Sequence, residues 1–195
     1  MKDHILNSLQ EAQSALSNLL ENEETIGRVA QASQVILESL DQGGRIFSCG
    51  NGGSMCDAIH FAEELSGRYR LDRRGLPAVS ISDPGHLSCV GNDFGYEFVF
   101  SRYLESHARA GDCLLAISTS GSSQNALKAA EIAHEMGLKV IALTGRSDAK
   151  LGKLADIHIC TPGGQFADRV QELHIKVIHI LIELIERDLF PENYA

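Results

Sequence analysis

A doubly wound α/β fold built on a parallel sheet is what this chain of 195 residues predicts, and three observations carry the prediction. Five short apolar runs alternate with segments of helical periodicity, glycine- or serine-rich turns follow two of those runs, and two amphipathic helices precede the first. Strands that alternate with helices build βαβ units, and their parallel sheet is covered on both faces.

The elements follow in chain order. Residues 3–20 place Ile5, Leu9, Ala12, Leu16 and Leu19 at spacings of four and three, an apolar seam on a polar helix. Residues 25–42 repeat the pattern with Ile26, Val29, Ser33, Ile36 and Leu40, and Gly43-Gly44 ends it. Such seams must cover something, either the chain's own sheet or a partner subunit. Beyond Gly44, the runs RIFSC (45–49), AVSIS (78–82), CLLAIS (113–118), KVIALT (139–144) and DIHIC (156–160) read as strands. Segments 54–66, 97–108, 123–136 and 168–188 read as helices, the last apolar over most of its circumference and so expected to be deeply packed. No linker or low-complexity stretch interrupts 45–195, so residues 1–195 are expected to form one domain, a helical hairpin over 1–43 followed by a core over 44–195.

Composition narrows the function. A chain of this size buries roughly 70% of its unfolded surface, and 44% hydrophobic with 22% charged residues leaves no sign of disorder. No apolar run reaches the ~20 residues that span a bilayer, and no basic start leads into an apolar stretch, so a cytoplasmic protein without membrane contact is expected. A net charge of −9, from 17 basic and 26 acidic residues, speaks against a nucleic-acid surface. The five cysteines form no CxxC pair, so they read as reduced core residues and neither a disulfide framework nor a cysteine zinc site.

Two turns carry the chemistry. CLLAISTSGSS (113–123) runs from a strand into a helix start, where the hydroxyls of Ser118, Thr119, Ser120 and Ser123 join free helix amides in a geometry suited to an anion. Ordinary N-capping by Ser122 or Ser123 is the bland alternative. SCGNGGS (48–54) is the equivalent turn after the first strand; it matches neither GxxxxGK[ST] nor GxGxxG, and a plain tight turn is its alternative. In an open parallel sheet, ligands collect at the carboxyl ends of strands where strand order reverses, so both turns could face one ligand.

His60 and Glu64, four residues apart in the helix after the first turn, share one helix face. They could be metal ligands, a base with its partner, or solvated surface residues. On the last helix Gln171, His174 and His179 sit among apolar residues, where buried polar groups need partners. His60, Glu64, Gln171 and His179 would make a nitrogen-and-oxygen set suited to zinc. One geometric objection stands against it: Gln171 and His179 lie roughly 12 Å apart along an ideal helix, so both reach one ion only by leaning together or from different subunits.

The stretches CGNGGSMCDAIHFAEELSGRY, GNDFG, AISTSGSS and ADRVQELHIKVIH closely resemble the bacterial sedoheptulose 7-phosphate isomerases, or phosphoheptose isomerases, of the sugar-isomerase (SIS) domain group. The resemblance covers essentially the whole chain. It implies a flavodoxin-like sheet and a homotetramer with active sites at subunit interfaces, the 1–43 hairpin serving oligomer packing. It also implies one zinc ion per subunit at His60, Glu64, Gln171 and His179, and isomerisation of sedoheptulose 7-phosphate to D-glycero-D-manno-heptose 7-phosphate on the way to lipopolysaccharide heptose.

Moving a carbonyl between C2 and C1 requires a base for a carbon-bound proton and an acid at the neighbouring oxygens, roles that fall to Glu64 and His179. Ser118, Thr119, Ser120 and Ser123 are then expected to hold the phosphate, and Asn51, Gly52, Gly53, Asn92, Asp93 and Gln171 the sugar. Arg68 and Asp168 flank the expected site and read equally well as surface ion-pair members. Two departures stand out. Met55 takes a place where a histidine or a small residue is expected, and the tail DLFPENYA resembles that of SIS proteins that bind the replication initiator DnaA. A non-catalytic SIS protein that binds DnaA or senses sugar phosphates is therefore the alternative.

Overall fold

The computed structural model describes residues 1–195. Strands β1 (Ile46–Gly50), β2 (Ala78–Ser80), β3 (Cys113–Ser118), β4 (Lys139–Thr144) and β5 (Ile157–Cys160) form one sheet in the order β2-β1-β3-β4-β5. Every pairing is parallel: Ile46 faces Ala78 on one side and Cys113 on the other, and Ser118 faces Thr144. The chain leaves β1 toward one flank and returns past it to β3, so the order reverses between β1 and β3. Their carboxyl ends, Gly50 and Ser118, therefore border the crevice where such sheets bind ligands.

Eight α-helices cover the sheet: α1 (Lys2–Leu20), α2 (Glu23–Asp41), α3 (Gly53–Ser66), α4 (Pro84–Asp93), α5 (Ser101–His107), α6 (Gln124–Glu135), α7 (Lys150–Leu154) and α8 (Ala167–Leu189). Period-two alternation divides the strands between two cores. Cys113, Leu115, Ile117, Ile141 and Leu143 pack with α2, α3 and α8, whereas Phe47, Leu114, Ala116, Val140 and Ala142 pack on the other side with α4 to α7. Met55 lies partly buried against the second of these cores.

The two leading helices form where their periodicity places them. The Asn22 side chain accepts from the Thr25 amide at 2.9 Å to start α2, with Glu23 and Glu24 favourably placed in its first turn. Gly43, at φ 75°, ends it in the left-handed conformation. Along α1 only Ala15 is buried; Leu19 packs partly buried against the core, while Ile5, Leu9 and Leu16 stay exposed, so the chain's own fold leaves most of that seam uncovered.

Two points of the helix assignment need correction. Residues 97–108 are not one helix but a 3-10 turn, Tyr96–Phe98, followed by α5: Val99 and Phe100 between them keep helical backbone angles, but the amides of Phe98 and Val99 bond three residues back, to Gly95 and Tyr96, rather than four. The sequence reading missed α4, which Asp83 caps by accepting from the His86 amide at 2.7 Å with Pro84 at the first helical position, and it missed the short α7. The last helix, α8, is deeply packed as expected: Val170, Leu173, Val177, Ile178, Leu181, Ile182 and Ile185 are buried, while the opposite face, with Glu172, Lys176 and Ile180, is exposed. No helix is long and apolar enough to cross a membrane.

Candidate active site

The turn after β1 enters α3 at once. Gly52 takes φ 55°, open to glycine at no steric cost, and a Cβ on Gly53 would collide with the amide of Gln171. The start of α3 is thus pressed against α8. From Gly53 the same helix face carries Asp57, His60 and Glu64. Gln171 lies beside Gly53 and His179 beside His60, so the two helices run in the same direction side by side.

Where they meet, the Nε2 atoms of His60 and His179 are 3.1 Å apart, and Glu64 Oε1 lies 3.3 Å from His60 Nε2. The His60 side chain is 38% exposed and that of Glu64 17%, so the cluster is reachable from solvent. Tyr69 stacks at a tilt on His179 with ring centroids 5.8 Å apart. Burial, then the neighbouring His60, Lys176 and Arg70, push the His179 pKa down. Burial, then Glu63, push that of Glu64 up, with His60 opposing. Two nitrogens this close cannot both carry a proton toward each other, but with the carboxylate they form a donor set within 4.8 Å that could hold a metal ion.

Gln171 is not part of that cluster within one chain. It rests at Gly53, and eight residues, roughly 12 Å of helix, separate it from His179. His174 also lies apart: it is fully buried, neither ring nitrogen has a hydrogen-bonded partner, and burial pushes its pKa down to about 4. The Thr144 backbone offsets part of that shift without reaching hydrogen-bonding geometry. It is a core histidine.

Across the crevice, the Ser118 and Ser123 hydroxyls are 3.2 Å apart, and the Gly121 amide donates to Ser118 Oγ at 3.1 Å. The Ser122 amide and hydroxyl both donate to Ser120 Oγ, at 3.3 and 3.0 Å. Ser123 stands at the N-cap of α6, yet its side chain makes no capping bond, so ordinary capping does not account for that hydroxyl. Asn92 and Asp93 end α4, exposed and bonded to each other at 2.8 Å. Arg68 is exposed, and Asp168 is exposed at the start of α8, accepting from the Arg169 amide at 2.9 Å.

The structure adds groups that sequence reasoning missed. Asp57 sits one turn before His60, with a buried and unpartnered Oδ2; burial raises its pKa to about 6 against the pull of His60. Its signal was the helical stripe 53-57-60-64. The Asn51 amide is held by Asn125 and Tyr96. Beyond Glu64, Arg73 donates to the carbonyls of Glu64 (2.6 Å), Leu65 and Gly67 (2.8 Å each) and to Glu186 Oε1 (2.8 Å), which ties the end of α3 to α8.

Residues 9–145 match the SIS domain family. The chain is 58% identical to the phosphoheptose isomerase of Cytophaga hutchinsonii over 185 residues, covering 95% of this chain and 97% of that protein. It is 56% identical to the phosphoheptose isomerase of Klebsiella pneumoniae over 188 residues, covering 96% and 97%. Its fold is similar to a solved phosphoheptose isomerase from Francisella tularensis, with a TM-score of 0.86, 33% identity, and 95% and 97% of the two chains covered.

Proposed function

Since the chain belongs to the phosphoheptose isomerase family of SIS-domain proteins, we propose that it interconverts D-sedoheptulose 7-phosphate and D-glycero-D-manno-heptose 7-phosphate, supplying heptose for lipopolysaccharide. The observation that carries this reading is the meeting of His60, Glu64 and His179 on helices beside the crevice. The anion turn at 118–123 takes the phosphate, and the turn at 51–53 with Asn92 and Asp93 takes sugar hydroxyls.

Glu64 removes the proton from C1 of the ketose and returns it to C2, while His179 shuttles a proton from O1 to O2 across the enediolate. Burial raises the Glu64 pKa in the metal-free chain, and a bound cation would act in the opposite direction. Two carboxylate oxygens let one face His60 while the other handles the proton. Two of the three donor pairs also match zinc: tetrahedral bonds of about 2.0–2.2 Å leave neighbouring donors roughly 3.3–3.6 Å apart, against 3.1 and 3.3 Å here, and the third pair, Glu64 with His179, closes to within 4.8 Å. Held by His60, Glu64 and His179, such an ion would polarise the sugar oxygens and steady the enediolate charge. Gln171, out of reach along its own helix, is assigned as the fourth ligand at a neighbouring subunit's site.

The largely uncovered apolar seam of α1, with Ile5, Leu9 and Leu16 exposed, supports packing of the 1–43 hairpin in a homotetramer of single-domain subunits. Cytoplasmic location is part of the same reading. Metal analysis of the purified protein, paired with turnover of sedoheptulose 7-phosphate, tests it. One zinc per subunit and formation of the aldose are expected; a protein that takes up no metal and stays inactive with added zinc would instead be a non-catalytic sugar-phosphate or DnaA binder.

A further inference from the structure

We propose that Asn125 and Tyr96 are positioning residues that lock the Asn51 amide at the mouth of the crevice, so that Asn51 offers its ligand a single donor hydrogen. The proposal rests on the isomerase reading for the identity of that ligand.

The orientation of the amides follows from one donor that cannot be reversed. The backbone amide of Ala126 donates to the Asn125 side chain at 3.0 Å, so the atom it meets is the oxygen, Oδ1. The Asn125 nitrogen then faces Asn51, donating to Asn51 Oδ1 at 2.8 Å, and Asn51 Nδ2 donates back to Asn125 Oδ1 at 2.9 Å. With its nitrogen and oxygen fixed in this way, Asn51 Oδ1 also accepts from the Tyr96 hydroxyl at 3.2 Å. Both lone pairs of that oxygen are occupied, and one of the two Nδ2 hydrogens is used. What remains to Asn51 is one N–H, which can recognise only an acceptor such as a sugar hydroxyl or carbonyl oxygen.

The three residues come from three separate turns. Asn51 follows β1, Asn125 lies in the first turn of α6 directly after the anion turn, and Tyr96 opens the 3-10 turn beyond Asn92 and Asp93. They border one cavity of about 660 Å3 together with Ser123 and Lys128. Asn125 is 3% exposed, whereas Tyr96 is 54% exposed, so the first is a built-in strut and the second a latch at the rim. A role confined to the start of α6 would need only the bond to Ala126; it does not explain the reciprocal pair with a residue 74 positions away.

The test measures the dissociation constant of sedoheptulose 7-phosphate by calorimetry, with kcat and KM alongside, for Asn51→Ala, Asn125→Ala, the double variant, Asn125→Asp and Tyr96→Phe, each checked by circular dichroism. Asn125→Ala is expected to weaken binding and raise KM about tenfold, with a smaller effect on kcat, and the double variant to be no worse than Asn51→Ala alone. Asn125→Asp keeps the bond to Ala126 but sets an oxygen against Asn51 Oδ1, so it should impair binding as well, while Tyr96→Phe costs a few-fold. Losses that multiply in the double variant, or an Asn125→Asp protein that binds like the parent, would overturn the proposal. A parent protein that binds the sugar without turning it over would instead count against the isomerase reading and leave the clamp standing.

Discussion

Arg73 and Glu186 meet at 2.8 Å with side chains 1% and 0% exposed, and the second carboxylate oxygen of Glu186 accepts from the Tyr194 hydroxyl at 2.8 Å. Each of the other two guanidinium nitrogens donates to carbonyls at the end of α3, Nη2 to Glu64 and Nη1 to Leu65 and Gly67, so every nitrogen of this buried charge has an acceptor. Removing one partner strands the other: Arg73→Met is expected to lower stability by about 3–5 kcal/mol, and Tyr194→Phe by about 1 kcal/mol. Urea denaturation followed by circular dichroism measures both.

Glu64→Gln should leave the fold intact and lower kcat by about 10²–10⁴-fold, with loss of solvent deuterium exchange into the sugar. Exchange at the native rate would remove Glu64 from the role of base. His179→Gln should cost turnover more than phosphate affinity, as read by kcat against competition from inorganic phosphate; equal losses would remove its role at the oxygens.

His174 gives the protein an acid limit. Its pKa falls from an ordinary 6.5 to about 4 in the folded chain, so between those values the unfolded state binds a proton that the folded state refuses. Stability from this group is complete above about pH 6.5 and declines as pH falls, by a total of about 3 kcal/mol near pH 4. His174→Leu should flatten that part of the pH dependence in chemical denaturation.

Gly53→Ala places a methyl group where the Gln171 amide lies. The far end of a flexible side chain can move, so the melting temperature should fall by only a few degrees. Activity should fall further, because Gln171 and the turn at 51–53 are displaced together. Activity equal to the parent's would show that neither needs its present place.

Much of this was legible in the sequence, for physical reasons. The strands stood out because parallel strands buried on both faces read as apolar runs, and His60 with Glu64 stood out because a spacing of four on a helix is a spatial neighbourhood. What stayed hidden was joined across long sequence separations. Asn51 and Asn125 are 74 residues apart, and Arg73 and Glu186 are 113 apart, and no local pattern reports either meeting. Helix α4 was obscured by its two glycines, although Asp83-Pro84 was a start signal. The position of Gln171 followed the ideal-helix arithmetic that had already set it apart from His179.

The reversal of strand order between β1 and β3 also governs how selectivity for sugar length can change. The carboxyl ends of those strands fix the anchoring points, while Asn92, Asp93 and Tyr96 hang on the connection between β2 and β3. Under the proposed function, editing that one connection is expected to change the space left for the sugar's carbon chain while leaving the sheet's register untouched, so that substrate range would be more easily altered on this scaffold than the reaction.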